Sequence, residues 1–561
     1  MSSNRRGISE LPYLCHSRGI ERVIISPGSR NAPLILAFTA LHKMECISIT
    51  DERSAGYYAL GMAMESGKPV GLICTSGTAM VNYAPALAEA YYMRIPLLAL
   101  TADRPTEWID QNDGQTVRQT GFFGNIIKGS FQLPVETDND DDLWYLRRTM
   151  SEALNLATDG IQGPVHVNIP LREPLYEPLP QVKDLPPVIV PTPYKKILPQ
   201  VEIEKLKNDW QKAKQRLVIC GMDHQPGQSN VSLQKIADQK QAVVFSENLA
   251  NRHIEGAIES PDTFIASLDK EQKKQFRPDL LVTCGGAVLS KKTKQYLRSH
   301  KPIQHWHIEE NCGITDTYQS LTRVISMKPE TFFAHMSETI PSGDEYVAFA
   351  ANCRGTLSQK HKSFLQSTSF SDLMAYDIIL DSLPGNCNLH LANSTPVRYA
   401  QLFPTKADVK YFSNRGTSGI DGCISTAAGA AMASDRLNIA IAGDLAFIYD
   451  SNAMWNASFP ENLRIIVVDN AGGNIFKLID TSPVIDPVRH FFETPNSVKI
   501  DKLCEAYGLE YYFASHEQAL RENLRSFFKP NRGKGVFHIK TSGELSAGIF
   551  KQYYQYISQK K

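Results

Sequence analysis

Short runs of β-branched and aliphatic residues recur along the chain. Each is closed by a cluster of Gly, Ser, Thr, Asn or Asp, and longer amphipathic stretches lie between them. Apolar runs without polar alternation are those of strands buried on both faces, as in a parallel sheet. In the first third such runs fall at residues 22–26, 46–49, 70–74, 97–100 and 165–169, with helical patterns at 54–65 and 79–92 among them. A second set lies at 216–220, 242–245, 280–283 and 304–308. A third begins with a helix over 374–383, followed by strands at 389–392, 438–442 and 465–468 and a crossover helix over 448–457. Strands alternating with helices predict right-handed, doubly wound parallel sheets. A proline-rich stretch from Pro174 to Pro193 separates the first set from the second, and the polar segment 342–369 reads as a helical connector to the third. The fold class expected is therefore α/β, with three parallel-sheet domains at 1–180, 199–341 and 370–561.

Composition narrows the function classes. A chain of 561 residues exceeds what one core supports, in line with roughly three to four domains. Lys+Arg and Asp+Glu both number 59, so the formal net charge is zero, and a nucleic-acid partner is not expected. Ten cysteines are scattered with no CxxC pair. A reducing, cytoplasmic setting is expected rather than a disulfide framework or zinc site. No leader pattern and no long apolar run are read, so membrane insertion is not expected either.

The candidate chemistry lies in the residues that close the strands. Gly443-Asp444 follows one strand, and Asp469-Asn470-Ala471-Gly472-Gly473-Asn474 follows the next, with Asn470 placed 26 residues after Asp444. Both groups fall beyond the carboxyl ends of parallel strands, where open α/β sheets bind ligands. A carboxylate, a carboxamide and a flexible Gly-Gly backbone are hard oxygen donors suited to Mg²⁺, which keeps part of its shell for phosphates. Read alone, Asp and Asn there are equally ordinary turn residues. In the first block Ile49-Thr50-Asp51-Glu52-Arg53-Ser54 ends a strand and starts a helix that Ser54 can cap. Glu52 there either offsets the helix dipole or serves as a carboxyl group at the mouth of the sheet.

Further turns at 26–31, 75–79, 101–105, 393–398 and 413–422 offer backbone N–H groups and hydroxyls to anions. Ile420 is an apolar residue in an otherwise polar loop, either tucked into the core or supporting a ligand. Arg30, Arg104, Arg398 and Arg415 recur at ligand-facing strand ends, and Lys291 follows the Gly285-Gly286 turn. Arginine suits bidentate carboxylate binding, although each of these alone is equally an ion-pair partner.

Taken together, PGSRNAPL, TDERSAGYYALGMA, TSGTAMVNYAPALAEAYY, TADRP, SNRGTSGIDG, GDLAFIYD and VVDNAGGNIF resemble the 2-succinyl-5-enolpyruvyl-6-hydroxy-3-cyclohexene-1-carboxylate synthases. These are thiamine-diphosphate enzymes of menaquinone biosynthesis. The resemblance is dense in the outer blocks and rests on order and length in the middle one. Leu445 departs from the Gly-Asp-Gly of acetolactate synthases, and Asp469 replaces the first Asn of a frequent Asn-Asn pair.

The resemblance implies a transferase that decarboxylates 2-oxoglutarate and adds the succinyl-semialdehyde carbanion to isochorismate. It implies that Glu52 is the carboxyl group beside the cofactor's aminopyrimidine. Ser76, Gly77, Ser418, Ile420, Gly443, Asn474 and Ile475 would contact thiamine diphosphate, which bends over Ile420. Asp444, Asn470 and the Gly472 carbonyl would hold Mg²⁺ or Mn²⁺. Ser29, Arg30, Arg104, Gln115, Lys291, Asn393, Ser394, Arg398, Arg415, Phe476 and Ile479 would line the substrate pocket, Lys292 being the neighbour that competes with Lys291. The first block would bind the pyrimidine and the third the diphosphate, with a middle block lacking cofactor. A homodimer or dimer of dimers with active sites at the subunit interface follows from the same resemblance. The nearest rival is another thiamine enzyme, an acetolactate synthase or 2-oxo-acid decarboxylase. A non-catalytic relative is disfavoured by Glu52, Asp444 and Asn470, and an oxidoreductase by the lack of a G-x-G-x-x-G turn.

Overall fold

The computed structural model describes residues 5–192, 196–225, 229–311, 313–340, 343–478, 487–529 and 533–559. Its strands form three sheets, and every strand pairing described within them is parallel. The first holds β1 (Arg22–Ile25), β2 (Glu45–Ser48), β3 (Val70–Cys74), β4 (Leu97–Asp103), β5 (Gly129–Gln132) and β6 (Val165–Pro170) in the order β2-β1-β3-β4-β6-β5. The second holds β7 (Arg216–Cys220), β8 (Val243–Ser246), β9 (Leu280–Cys284), β10 (Gln304–Ile308) and β11 (Arg323–Ile325), ordered β11-β10-β9-β7-β8. The third holds β12 (Cys387–Leu391), β13 (Lys410–Phe412), β14 (Leu437–Gly443), β15 (Leu463–Asp469), β16 (Glu510–Ala514) and β17 (Gly535–Lys540), ordered β13-β12-β14-β15-β17-β16. The expected α/β class is what the chain adopts.

The first and third sheets share one strand order. In each, the first and third strands are neighbours and the chain leaves them in opposite directions, which opens a crevice beyond their carboxyl ends. The apolar runs seen in the sequence are the central strands: β3, β4, β6, β7, β9, β12 and β15 are buried along their whole length. The strands that the apolar pattern does not reveal are β5, β11, β13, β16 and β17. β5 and β16 bury little of their surface, which removes the apolar signal, and β11 and β13 are only three residues long.

Helix positions differ from expectation in two places. The helix expected over 79–92 is two, Thr78–Val81 and Ala84–Met93, because Pro85 has no N–H for the preceding turn. The crossover helix expected over 448–457 instead begins at Asp444, directly off β14, and ends at Tyr449. It stops where the Asp450 carboxylate accepts bonds from Ser425 N at 2.6 Å and Ser425 Oγ at 2.8 Å. The segment 342–369 contains a 23-residue helix, Asp344–Gln366. No described helix is long and apolar enough to cross a membrane.

By contacts the chain divides into two compact units. One comprises Met1–Pro193, Asn414–Asn438 and Ala446–Leu463; the other comprises Tyr194–Ser413, Ile439–Leu445 and Arg464–Lys561. The first unit therefore includes two pieces of the C-terminal third. Helix Cys423–Met432 packs on helix Glu52–Ser66 through glycines: a Cβ on Gly61 would lie 1.9 Å from Thr426 O, and one on Gly429 would lie 2.0 Å from Tyr58 O. Only residues without side chains permit so close a crossing.

Candidate active site

In the first unit, loops at the carboxyl ends of β1, β3, β4 and β6 form one cluster. Helix Glu52–Ser66 starts one residue after Asp51, whose Oδ1 accepts from Arg53 N at 2.9 Å and Ser54 N at 3.3 Å. Asp51 is thus the helix cap and Ser54 is not; the latter is buried in the first turn. The correction has a physical source: Asp51 stands directly before the first helical turn, where a side-chain oxygen reaches the free N–H groups of the second and third helical residues. Glu52 follows at the first helical position, half-buried, and burial raises its carboxyl above the usual range, with Asp51 pushing the same way. Glu52 lies within electrostatic reach of Cys74 and Tyr83, at the end of β3 and its following turn.

That turn is built for close backbone approach. Gly77 has φ +83°, and a Cβ on it would meet Gln115 Cα at 3.3 Å. A Cβ on Gly28, in the turn after β1, would lie 2.4 Å from Thr75 Cβ. Ser76 is buried and Gln115 and Ser29 are exposed. Arg104 bonds Gly114 O at 2.9 Å and pairs with Asp113 at 2.6 Å. Arg30 bonds Leu171 O at 3.0 Å and Glu173 at 3.2 Å. Ser76, Gly77, Arg104 and Gln115 are brought together, each arginine being held by a carbonyl and a carboxylate.

A buried amide network underlies this cluster. Gln119 Oε1 accepts from Gly77 N at 2.9 Å, while Gln119 Nε2 donates to Asn168 Oδ1 at 2.7 Å and Asn168 Nδ2 to Asp103 Oδ2 at 2.8 Å. Asp103, Gln119 and Asn168 tie β4, β6 and the Gly77 turn into one piece, and of the three Asp103 lies in the 101–105 turn that the sequence singles out.

The loop 415–422 belongs to the same unit. Gly416 N, Thr417 N and Thr417 Oγ1 donate to the buried Glu89 carboxylate at 2.6, 2.7 and 2.6 Å. At its other end Tyr57 OH donates to Asp421 Oδ2 at 2.6 Å, and Gly422 (φ +71°) lies against the Tyr57 ring. Between these anchors Ser418 (φ +66°) is exposed, and Arg415 and Ile420 are partly exposed. Ile420 is therefore not tucked into the core.

The second unit holds the acidic motif. Asp444 is buried at the start of helix Asp444–Tyr449 and accepts from Asn496 Nδ2 at 2.9 Å. Burial, reinforced by Asp469, pushes its carboxyl up to about 6. Asp469 is held by His538 Nε2 at 2.9 Å and Lys540 Nζ at 2.8 Å, the latter its register partner across β15 and β17. Burial alone would raise the Asp469 pKa, but these partners hold it below the usual carboxylate range. Gly472 has φ +126°, with its position for a Cβ filled by Glu493 O at 2.4 Å, and its N–H favours the ionised form of Asp444.

Asn470 is buried with its Nδ2 bonded to Asp372 Oδ2 at 2.8 Å, leaving Oδ1 with no partner. An orphaned buried amide oxygen beside an acidic carboxylate and a glycine turn is the donor set that a hard divalent cation requires. With one carboxylate and one amide oxygen offered, a cation here would complete its shell with phosphate oxygens and water. Asn474 is buried next to this turn, and Ile475–Leu478 forms the short helix that follows. Ile479 lies outside the described residues.

Also in this unit, Asn393 and Ser394 lie in the turn after β12, with Ser394 at φ +75° and its carbonyl bonded by Arg398 Nη1. Asp262 lies within electrostatic reach of Arg398 and caps helix Lys291–Ser299 through Lys291 N at 2.9 Å and Thr293 N at 2.9 Å. Lys291 and Arg398 are thus neighbours of one carboxylate. The Lys292 ammonium instead lies 5.0 Å from the Tyr554 ring centroid.

Known proteins resemble the chain in the segments that carry these residues. The N-terminal TPP binding domain of thiamine pyrophosphate enzymes matches residues 7–122, and their C-terminal TPP binding domain matches residues 394–540. The chain is 39% identical to a 2-succinyl-5-enolpyruvyl-6-hydroxy-3-cyclohexene-1-carboxylate synthase of Desulfotalea psychrophila, over 90% of this chain and 93% of that one. It is 37% identical to the synthase so named from Porphyromonas gingivalis, over 99% and 98% of the two chains, and 36% identical to that of Bacteroides thetaiotaomicron over the whole of both.

Proposed function

The chain belongs to the family of 2-succinyl-5-enolpyruvyl-6-hydroxy-3-cyclohexene-1-carboxylate synthases, and from that premise we propose how its residues divide the work. It is a thiamine-diphosphate-dependent transferase of menaquinone biosynthesis that decarboxylates 2-oxoglutarate and joins the remaining four-carbon unit to isochorismate. The observation that carries the assignment of residues is that one TPP-binding segment holds a half-buried carboxyl group, Glu52, and the other holds the Asp444 carboxylate and the partnerless Asn470 oxygen.

When bound, thiamine diphosphate supplies the carbon nucleophile that the protein's own side chains lack. Glu52, its pKa raised by burial, holds or releases the proton beside the aminopyrimidine ring. Asp444, Asn470 and the Gly472 carbonyl hold Mg²⁺ or Mn²⁺ against the diphosphate; Gly443, Asn474 and Ile475 adjoin that group. Ser76 and Gly77 adjoin the pyrimidine, and Ser418 and Ile420 support the cofactor from the loop that Glu89 anchors. The two substrates are rich in carboxylates, and Arg30, Arg104, Arg398, Arg415 and Lys291 are the cations that meet them. Ser29, Gln115, Asn393, Ser394 and Phe476 complete the substrate pocket.

On this reading the first block is a pyrimidine-binding domain, the second a middle domain without cofactor and the third a diphosphate-binding domain. The enzyme works in the cytoplasm as a homodimer or dimer of dimers, with each active site at a subunit interface. The test is carbon dioxide release from 2-oxoglutarate with thiamine diphosphate and Mg²⁺, with and without isochorismate. Rapid turnover only with both substrates supports the reading. Turnover of pyruvate with none of 2-oxoglutarate keeps the cofactor and overturns the substrates.

A further inference from the structure

Asn470 offers an oxygen to the cation only if its amide is turned the right way, and the two ends of a carboxamide have nearly the same shape. What breaks the symmetry is Asp372, at the start of helix Asp372–Asp381, 98 positions away in sequence. Asp372 is 1% exposed, and Asn470 Nδ2 reaches its Oδ2 at 2.8 Å. Its other oxygen accepts from Thr541 Oγ1 at 2.6 Å and from Ser546 Oγ at 3.1 Å, and its backbone N–H donates to Ser546 Oγ at 3.0 Å.

Asp372 is an acceptor on both oxygens here, from Thr541 and Ser546 at one and from the Asn470 amide at the other. It therefore draws the NH₂ end of Asn470 toward itself and turns Oδ1 the opposite way, which is the end found without a partner. The backbone leaves the side chain little freedom to answer otherwise. The Asn470 carbonyl lies 2.7 Å from where a Cβ on Gly543 would be, and Thr541 N donates to the Asp469 carbonyl at 2.9 Å.

We propose that Asp372 is a positioning residue for the divalent cation, fixing the polarity of the Asn470 carboxamide so that its oxygen faces the metal. The inference rests on the reading of Asp444 and Asn470 as metal ligands. Partners one step behind a ligand commonly change metal affinity by about 10- to 100-fold. In Asp372→Asn the new amide can donate as well as accept, so the Asn470 amide turns over in part of the population and presents NH₂ to the cation.

The experiment titrates Mn²⁺ into the full-length protein with thiamine diphosphate and reads free Mn²⁺ by electron paramagnetic resonance. Thermal unfolding without metal is measured alongside. Asp372→Asn is expected to weaken Mn²⁺ binding about 10- to 100-fold and to raise the KM for the metal, with kcat at saturating metal changed far less. The exchanged pair Asp372→Asn with Asn470→Asp restores one donor facing one acceptor and leaves a carboxylate oxygen toward the cation, so binding returns to within about tenfold of wild type. Asn470→Ala calibrates the site. If Asn470→Ala weakens Mn²⁺ binding while Asp372→Asn does not, Asp372 has no positioning role and the metal reading stands. If Asn470→Ala leaves Mn²⁺ binding at the wild-type level, both readings are overturned. Should Asp372→Asn not fold, the exchanged pair decides: failure to bind in a folded protein overturns the proposal.

Discussion

Glu89 and Gly416 are 327 positions apart, yet the Glu89 carboxylate accepts the Gly416 N–H at 2.6 Å beneath the loop that carries Arg415, Ser418 and Ile420. With two further bonds from Thr417, the acid holds the loop in a single shape. Glu89→Ala leaves two backbone N–H groups without an acceptor, at about 1–3 kcal/mol each. A fall in Tm is expected, together with a higher KM for thiamine diphosphate. Glu89→Gln, which still accepts one of the bonds, is expected to fall between the two proteins in both measurements.

Glu52 is half-buried and caps nothing, since Asp51 does that work. Glu52→Gln is therefore expected to unfold at the wild-type temperature while losing about 10²–10⁴-fold in carbon dioxide release from 2-oxoglutarate. Activity at the wild-type level in a folded Glu52→Gln protein would remove Glu52 from its role.

The crossing of helices Glu52–Ser66 and Cys423–Met432 predicts a sharp steric rule. Gly61→Ala or Gly429→Ala brings a methyl to about 2 Å from a carbonyl oxygen, so the helices must separate, at about 3 kcal/mol or more. Gly355 lies in helix Asp344–Gln366 with nothing near its Cβ position, and Gly355→Ala is expected to raise stability by about 0.4–1 kcal/mol. Urea denaturation of the three variants compares these effects directly.

Asp450 is buried, and burial lifts its carboxyl to about 7 from an ordinary value of 3.8. Between these limits the folded chain holds a proton that the unfolded chain has lost, so stability from this group falls as pH rises through that window and is lowest above 7. Asp450→Asn keeps an acceptor for Ser425 N and turns the other contact into an N–H donated to Ser425 Oγ, without the charge. Its stability relative to wild type is expected to improve by about 1–3 kcal/mol between pH 5 and pH 8, read as the difference in unfolding free energy at each pH. A difference that stays flat, or that shrinks toward alkaline pH, would show that Asp450 is ionised in the fold throughout.

Much of this architecture is legible in the sequence because buried parallel strands leave continuous apolar runs, and because Asp444 and Asn470 sit where such runs stop. β16 is not, since its Tyr511 and Phe513 are exposed and give no periodic signal. Nor are Asp372, Glu89 or Asn168: each is a polar residue on an ordinary helix or strand, and its role depends on a partner brought in by tertiary structure. Asp51 displaces Ser54 as helix cap through a shift of three residues, a scale that pattern reading does not resolve.

The first compact unit joins the first third of the chain to two pieces of the last third, and that sets a schedule on the ribosome. Helix Glu52–Ser66 is made early, but the helix that crosses it, Cys423–Met432, emerges about 360 residues later. At typical elongation rates the wait is about 20 to 70 s. For that interval the nascent chain carries an uncovered stripe of Gly, Ala and Met, on which a chaperone or the same segment of a neighbouring nascent chain can settle.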